Sequence, residues 1–161
     1  MRIVRGMNFA IFSSRLRAVA LAGVFSGLMI PAGPAAPLQK GRVTQVIRDV
    51  KILPGEAAAR PAAVNDEVVP GTAVRTGVES RTELTFADLT IARLGANTIF
   101  SFNEAERSID LSSGAVLLRV PKNSGGAKIN TAAVTAAITG TTMLAEDHAN
   151  KIYKFVMLEG T

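Results

Sequence analysis

The stretch from Thr72 to Ser113 most constrains the fold of this chain, because its residues alternate between apolar and polar. The run Thr82-Glu83-Leu84-Thr85-Phe86, for example, places its apolar side chains on one face and its polar side chains on the other. A period of two is that of a half-buried β-strand. Turn residues separate these runs about every 8–12 residues, as in short-stranded all-β domains. The sequence therefore predicts an all-β domain.

The same pattern of short apolar runs and turn residues extends over the rest of the chain after residue 40. Few aromatic residues and many small ones favour closely stacked short strands, arranged as a β-solenoid or β-roll or as a flattened sandwich. Residues Glu56–Asn65 include Pro61 and are predicted to form a loop. The predicted strands are Gly41–Leu53, Thr72–Thr76, Arg81–Phe86, Leu89–Leu94, Thr98–Phe102, Arg107–Leu111, Ala115–Val120, two short strands within Ala127–Ile138, and a terminal pair, Met143–Asp147 and Lys151–Leu158.

Glycine-rich turns punctuate the predicted strands. Ser112-Ser113-Gly114 is predicted to be a turn, and residues 121–126 a loop. The segment Ser124–Lys128 lacks the spacing of a phosphate-binding loop and is predicted to be a hairpin loop. Four glycines are expected at backbone positions that need a positive φ or a close approach, and so to be structural: Gly77, Gly95, Gly114 and Gly140.

The N-terminus has the features of a secretory signal peptide. A basic segment ends at Arg17, an apolar run covers Ala18–Ile30, and small residues precede a cleavage site after Ala35. We predict a signal-peptide helix within residues 1–35 and one β-domain over residues 36–161. An uncleaved anchor over Ala18–Gln39 is the alternative. The chain stops on an apolar strand, so we expect a fragment or a truncated gene product.

Composition limits the classes of partner. The formal charge of the whole chain is +5, but four arginines and no acidic residue lie before residue 36, which leaves 14 basic and 13 acidic residues after it. These charges are scattered and aromatic residues are few, so we expect no nucleic-acid binding. The chain has no cysteine, which excludes disulfides and thiolate metal sites.

An ordered set of residues in this chain resembles the FecR-domain family. It combines a T-G-x-x-S segment, an L-x-F-x-D segment, a Gly-Thr pair and a terminal L-E-G. The resemblance spans about residues 41–161. The matching residues are Gly71, Val74, Thr76, Gly77, Ser80, Leu84, Phe86, Asp88, Leu94, Asn97, Ile109, Leu111, Gly114, Val116, Val120, Thr131, Val134, Ile138, Gly140, Thr141, Phe155, Met157, Leu158, Glu159 and Gly160.

Together with the signal-peptide features and the lack of a convergent catalytic set, this resemblance leads us to predict an exported, non-enzymatic module in the periplasm or outside the cell, which binds or scaffolds an envelope protein or glycan. We expect contact with the membrane only if the N-terminal segment stays uncleaved. The alternative is an inner-membrane-anchored periplasmic regulator of the ferric-citrate type, in which occupancy of an outer-membrane receptor is relayed. Leu89 stands where the family often has glycine, so we expect no type I′ turn after Asp88.

Three clusters of polar residues could imitate a chemical site. His148 follows Glu146 and Asp147, but one histidine at a turn falls short of the three or four ligands of a metal site. Ser112 and Ser113 lack the G-x-S-x-G frame of a nucleophile. Glu104 and Glu106 lie in a polar loop with no apolar surroundings to raise a pKa. We therefore predict no catalytic, cofactor-binding or metal-binding residue.

The mass of the mature protein tests the signal-peptide prediction. Expression in a Gram-negative host with intact export should give a product that starts at or near Ala36, because small residues precede that position. Intact-mass spectrometry of the envelope fraction measures the start directly. A product that retains residues 18–39 would instead establish the membrane anchor.

Overall fold

A computed structural model describes residues 38–148 and 152–159, all within one compact unit. The predicted signal peptide lies outside the described residues. Every regular element within the described part of the chain is a β-strand. The all-β prediction is therefore confirmed.

Thirteen strands lie within the described residues. Strand β6 has the predicted bounds, Arg81–Phe86, and most other predicted strands are found with their ends shifted by one or two residues. The strands are β1 Gly41–Ile47, β2 Val50–Leu53, β3 Arg60–Pro61, β4 Glu67–Val68, β5 Ala73–Thr76, β6 Arg81–Phe86, β7 Ile91–Leu94, β8 Ile99–Asn103, β9 Ser108–Arg119, β10 Ala127–Asn130, β11 Thr135–Ile138, β12 Thr142–His148 and β13 Ile152–Glu159.

The strands form one open, curled sheet with two halves. In half I the order is β4-β1-β6-β7-β9, with β12 and β13 added beyond β9. In half II the order is β3-β2-β5-β8-β9, with β10 and β11 added beyond β9. Residues 114–119 of β9 pair in half I and residues 108–113 pair in half II, so β9 belongs to both.

The chain passes between the two halves four times along one side of the sheet, which we call the corner. The passages are residues 48–49 between β1 and β2, residues 77–80 between β5 and β6, residues 95–98 between β7 and β8, and residues 113–114 within β9. Neighbouring passages are hydrogen-bonded to each other. Gly77 N–H donates to Asp49 O at 2.9 Å, Asn97 N–H to Gly77 O at 3.0 Å, and Gly95 N–H to Ala115 O at 2.8 Å.

Three buried hydroxyl groups complete the hydrogen bonds of the corner. Thr76 donates to Gly95 O at 2.6 Å and accepts from Thr98 N–H at 2.9 Å. Thr98 Oγ1 accepts from Ala115 N–H at 3.0 Å and lies 3.1 Å from Ala115 O. Ser80 accepts from Asp49 N–H at 3.1 Å. Where the chain changes direction sharply, some backbone N–H and C=O groups have no partner on a neighbouring strand. These side chains supply the missing hydrogen bonds.

A single apolar core fills the space between the two halves. Alternate residues of each strand point inward, as in β6, where Thr82, Leu84 and Phe86 are buried. Phe86 of half I meets Phe102 of half II edge to face, with ring centroids 4.9 Å apart. This contact lies on the side opposite the corner, which we call the mouth, and joins the halves there.

The detailed arrangement differs from a solenoid. Paired strands run antiparallel, and the single parallel pair among the described strands is β9 with β10. A solenoid would instead stack successive strands in parallel register. The strands form a half-barrel, one open sheet curled over one core, and not a solenoid. The loop at residues 121–126 is not a hairpin loop, since it connects half I to half II across the mouth.

Three further local predictions were wrong. The predicted first strand is two strands in different halves, because Arg48 adopts a φ of +61° at the corner. Ser112-Ser113-Gly114 is not a turn, since β9 continues through it with Gly114 at a φ of +88°. The predicted loop before Asn65 contains β3, which pairs with β2.

Two alanine substitutions separate the roles of the corner glycines. A Cβ at Gly114 would lie 2.4 Å from Thr98 Oγ1 and 2.5 Å from Thr98 Cα, whereas a Cβ at Gly95 would meet Ala115 Cβ at 3.4 Å. Gly114→Ala should therefore lower the free energy of unfolding by about 2–5 kcal/mol. Gly95→Ala should change it by less than about 0.5 kcal/mol. Urea unfolding followed by circular dichroism measures both, and equal effects would contradict the corner geometry.

Candidate functional site

The mouth is closed by a buried ion pair between two loops. Asp88 lies between β6 and β7 and Arg107 lies between β8 and β9, so the pair joins half I to half II. Arg107 Nη2 donates to Asp88 Oδ2 at 2.8 Å, and Nε donates to Gly126 O at 2.8 Å. The Asp88 side chain is 1% exposed and the Arg107 side chain 14%. One arginine thus ties three loops together across the mouth.

The loop that carries Asp88 contains a residue in the left-handed backbone conformation, which glycine adopts most easily. Leu89 N–H donates to Phe86 O at 3.0 Å, and Leu89 itself has a φ of +64°. Asp88 stabilises this conformation because its carboxylate accepts from the backbone N–H and the hydroxyl of Thr90, both at 2.9 Å. Phe86 N–H donates to Thr90 O at 2.9 Å, so residues 87–89 form a three-residue loop, which agrees with the expectation that no type I′ turn forms there.

The four singled-out glycines occupy different environments. Gly77 and Gly95 each precede a two-residue turn of the corner, and a Cβ on Gly77 would lie 2.9 Å from Asp49 Oδ2. Gly114 lies within β9 and not in a turn. Gly140 has a φ of +64° and approaches Lys122 where the chain returns across the mouth. At Gly95 neither a positive φ nor a close approach requires glycine, contrary to expectation.

The polar clusters suspected from the sequence are not brought together. His148 ends β12 on the exposed face and lies 3.3 Å from Glu146 Oε2, whereas Asp147 points to the buried face. Strand alternation therefore separates Asp147 from its two neighbours. Ser112 is exposed, Ser113 donates to Asn97 O at 3.3 Å, and Glu104 and Glu106 lie in the loop after β8.

Three carboxylates near the β1 edge have a lowered pKa. The Thr44 hydroxyl, and then the Arg93 guanidinium, hold the pKa of Glu83 below its usual value. Hydrogen bonds from Arg60 and from a backbone N–H lower the pKa of Asp66. A hydrogen bond from Lys40 lowers that of Glu67. A general acid at neutral pH needs a raised pKa, so these three groups are ionised structural partners.

Neither a metal-ligand cluster nor a membrane-spanning helix is found in residues 38–148 and 152–159. No three histidine, aspartate or glutamate side chains there converge as metal ligands. The same residues include no helix with the length and hydrophobicity of a membrane span.

One long sheet edge is exposed. Strand β13 has eight residues and pairs with β12, and no other strand in the described part of the chain pairs with it. Met157 and Leu158 on this strand are 53% and 59% exposed. The other terminal strands are short: β3 and β4 have two residues each, and β11 has four. An edge strand presents unpaired backbone groups, so β13 is the candidate binding edge.

Sequence reasoning missed the ion pair at the mouth. Asp88 belongs to the family pattern, whereas Arg107 stands at the start of a predicted strand and has no motif of its own. The two residues are 19 positions apart, with β7 and β8 between them. The signal available was Asp88 itself, since an aspartate two residues before Thr90 is typical of a side chain that caps a turn.

The comparisons place the chain in a family but identify no individual relative. The family model described as FecR protein matches residues 72–161, more than half of the chain. This range begins before the corner turn at Gly77 and includes β13. No curated protein and no solved structure matches the chain significantly.

Removing the arginine at the mouth tests the importance of the ion pair. Arg107→Met should lower the free energy of unfolding by about 3–5 kcal/mol, because it leaves the buried Asp88 carboxylate without its cation. The control is Arg93→Met, which breaks the more exposed pair with Glu83 and should cost less than about 1 kcal/mol. Urea unfolding compares the two. Similar losses in both variants would show that the mouth does not depend on Arg107.

Proposed function

The chain belongs to the FecR protein family, and we propose that it is a non-enzymatic exported module of the cell envelope that binds an extended segment of another protein along β13. The single observation that carries this proposal is the unpaired edge of β13, with eight residues and two exposed apolar side chains. Export is supported by the signal-peptide features of residues 1–35.

The contrast between β13 and the other terminal strands supports this choice of edge. Strand β3 contains Pro61, which has no N–H to offer, and β4 is only two residues long. Natural sheets use proline, charge and short length to prevent association at their edges. Strand β13 is long, contains no proline, and carries Lys154 and Glu159 as its only charged residues. It therefore lacks most of the features that block strand addition.

Strand addition also agrees with the way β13 is supported. Residues 143–148 of β12 pair with Ile152–Met157, Thr142 pairs with Glu159 beyond a β-bulge at Leu158, and β12 pairs in turn with β9. Phe155 of β13 packs against the core, which fixes the strand from one face. A partner strand would meet a pre-ordered edge, so backbone hydrogen bonds would form at a low cost in entropy. Side chains such as Met157 and Leu158 would then contribute specificity.

Site-specific photo-cross-linking in cells tests this function. A photoreactive amino acid replaces Leu158 on the edge or, as the matched control, Val64, which is 52% exposed in the loop before β4. Position 158 should give a cross-linked adduct with one defined envelope protein, and position 64 should not. In the position-158 chain, Met157→Asp should reduce the adduct about tenfold, because a charge on the edge disfavours strand addition. Adducts of equal yield from both positions, or none from position 158, would refute binding at β13.

A further inference from the structure

The corner exposes aliphatic side chains on a fixed backbone. Val78 is 73% exposed at the tip of the turn between β5 and β6, with Ile47 and Ile99 beside it at 38% and 36%. The Ser80 hydroxyl donates to Val78 O at 3.0 Å and Ser80 N–H donates to Gly77 O at 3.3 Å, so the turn is braced from within. A rigid exposed valine loses little conformational freedom when a partner covers it.

Basic residues outnumber acidic ones around Val78. Arg48 is paired with Glu79, and Lys51 lies 4.0 Å from Asp49. Arg75 and Arg81 are exposed and have no ion-pair partner among the described residues. The corner therefore holds two cationic groups that make no ion pair in the described part of the chain, because the nearby acidic residues Asp49 and Glu79 lie against Lys51 and Arg48.

The register of half II adds a repulsion to this surface. Lys51 of β2 lies directly opposite Arg75 of β5. Like charges opposite each other on adjacent strands destabilise a sheet. Ile99 of β8 is the next residue across the sheet from Arg75. An anionic group placed between the two cations would relieve the repulsion, and an aliphatic group beside it would contact Ile99.

The shape of the corner favours a polypeptide over a flat surface. Val78 separates two open concavities, of about 400 Å³ and about 730 Å³. The first is bordered by Arg75 and Ile99, and the second by Ile47 and Arg81. Each concavity thus combines an aliphatic side chain with an unpaired arginine. A bilayer would meet mainly the protruding valine, whereas a peptide could place side chains on both sides of it.

We propose that the corner is a second binding surface, separate from β13, which accepts an acidic protein segment carrying aliphatic side chains. The segment lies across Val78, its aliphatic groups cover Val78 and Ile99, and its carboxylates pair with Arg75 and Arg81. The chain can then bind two partner segments at once, because the corner and the β13 edge share no residue.

Fluorescence anisotropy with synthetic peptides tests the proposal on the full chain. The probe is a labelled peptide of sequence Glu-Leu-Asp-Val-Glu-Leu-Asp, and its counterpart carries lysine at every acidic position. The acidic peptide should bind, and its affinity should fall about fivefold or more between 50 and 300 mM salt, because the contacts are between exposed charges. Equal binding of the lysine peptide, or no binding of the acidic one, would overturn the proposal.

Charge-reversal variants locate the binding. Arg75→Glu combined with Arg81→Glu should weaken acidic-peptide binding about tenfold or more. The matched control is Arg119→Glu, an exposed arginine on β9 that pairs with Ile91 and Thr142 away from the corner. Val78→Ser should weaken binding severalfold and Val64→Ser should not. Urea midpoints near that of the parent protein exclude misfolding of the variants as the cause.

Anionic phospholipid vesicles provide the opposing test. The corner variants and the parent protein are compared for sedimentation with vesicles that contain phosphatidylglycerol. If the parent sediments, the corner variant does not, and the acidic peptide fails to bind, the corner is a membrane-binding surface and the proposal is wrong. Peptide binding that depends on Arg75 and Arg81, without comparable vesicle binding, supports it.

Discussion

Hydrogen bonding at the corner is the constraint on which the rest of the structure depends. In a sheet that folds over itself, the chain changes direction at every passage from one half to the other. The backbone hydrogen bonds between neighbouring strands are interrupted there. The hydroxyls of Thr76, Ser80 and Thr98 supply bonds that adjacent strands would otherwise make. Because these side chains are buried, an unpaired group at any of these positions would have no water to bind. The T-G-x-x-S segment of the family pattern contributes two of them.

The other features follow from a sheet closed along one side. The two halves meet at the corner and enclose a core. At the mouth this core is closed by the contact of Phe86 with Phe102 and by the ion pair of Asp88 with Arg107. Strand β9 passes through both halves, so each half can add a further hairpin to it. The addition in half I ends in β13 and leaves that edge available, while the turns of the corner project Val78 outward. Both proposed binding surfaces thus result from the way the sheet folds.

The sequence predicts those strands that are determined by the pattern of neighbouring residues. Alternation from Arg81 to Phe86 determines β6, and the strand class of the whole domain follows from similar runs. It failed where a distant contact decides the backbone. Residues Ser112-Ser113-Gly114 have the composition of a turn, but they continue a strand because Thr98 lies against Gly114. Arg48 divides the loosely alternating run Gly41–Leu53, since the sheet bends there. An open sheet must have edge strands, so an exposed edge could be expected from the sequence. The corner surface could not, because it is formed by four passages that are far apart in the sequence and adjacent only in the folded chain.

The most direct test of this account is the stability of Thr98→Val, which keeps the shape of the side chain and removes its hydroxyl. The parent, Thr98→Val and Thr85→Val are compared by urea unfolding, with Thr85 chosen as a half-buried threonine in the middle of β6. The account predicts that Thr98→Val lowers the free energy of unfolding by about 1–3 kcal/mol, since Ala115 N–H loses its acceptor. Thr85→Val should change it by less than about 0.5 kcal/mol. A Thr98→Val protein as stable as the parent would contradict the central role of the corner.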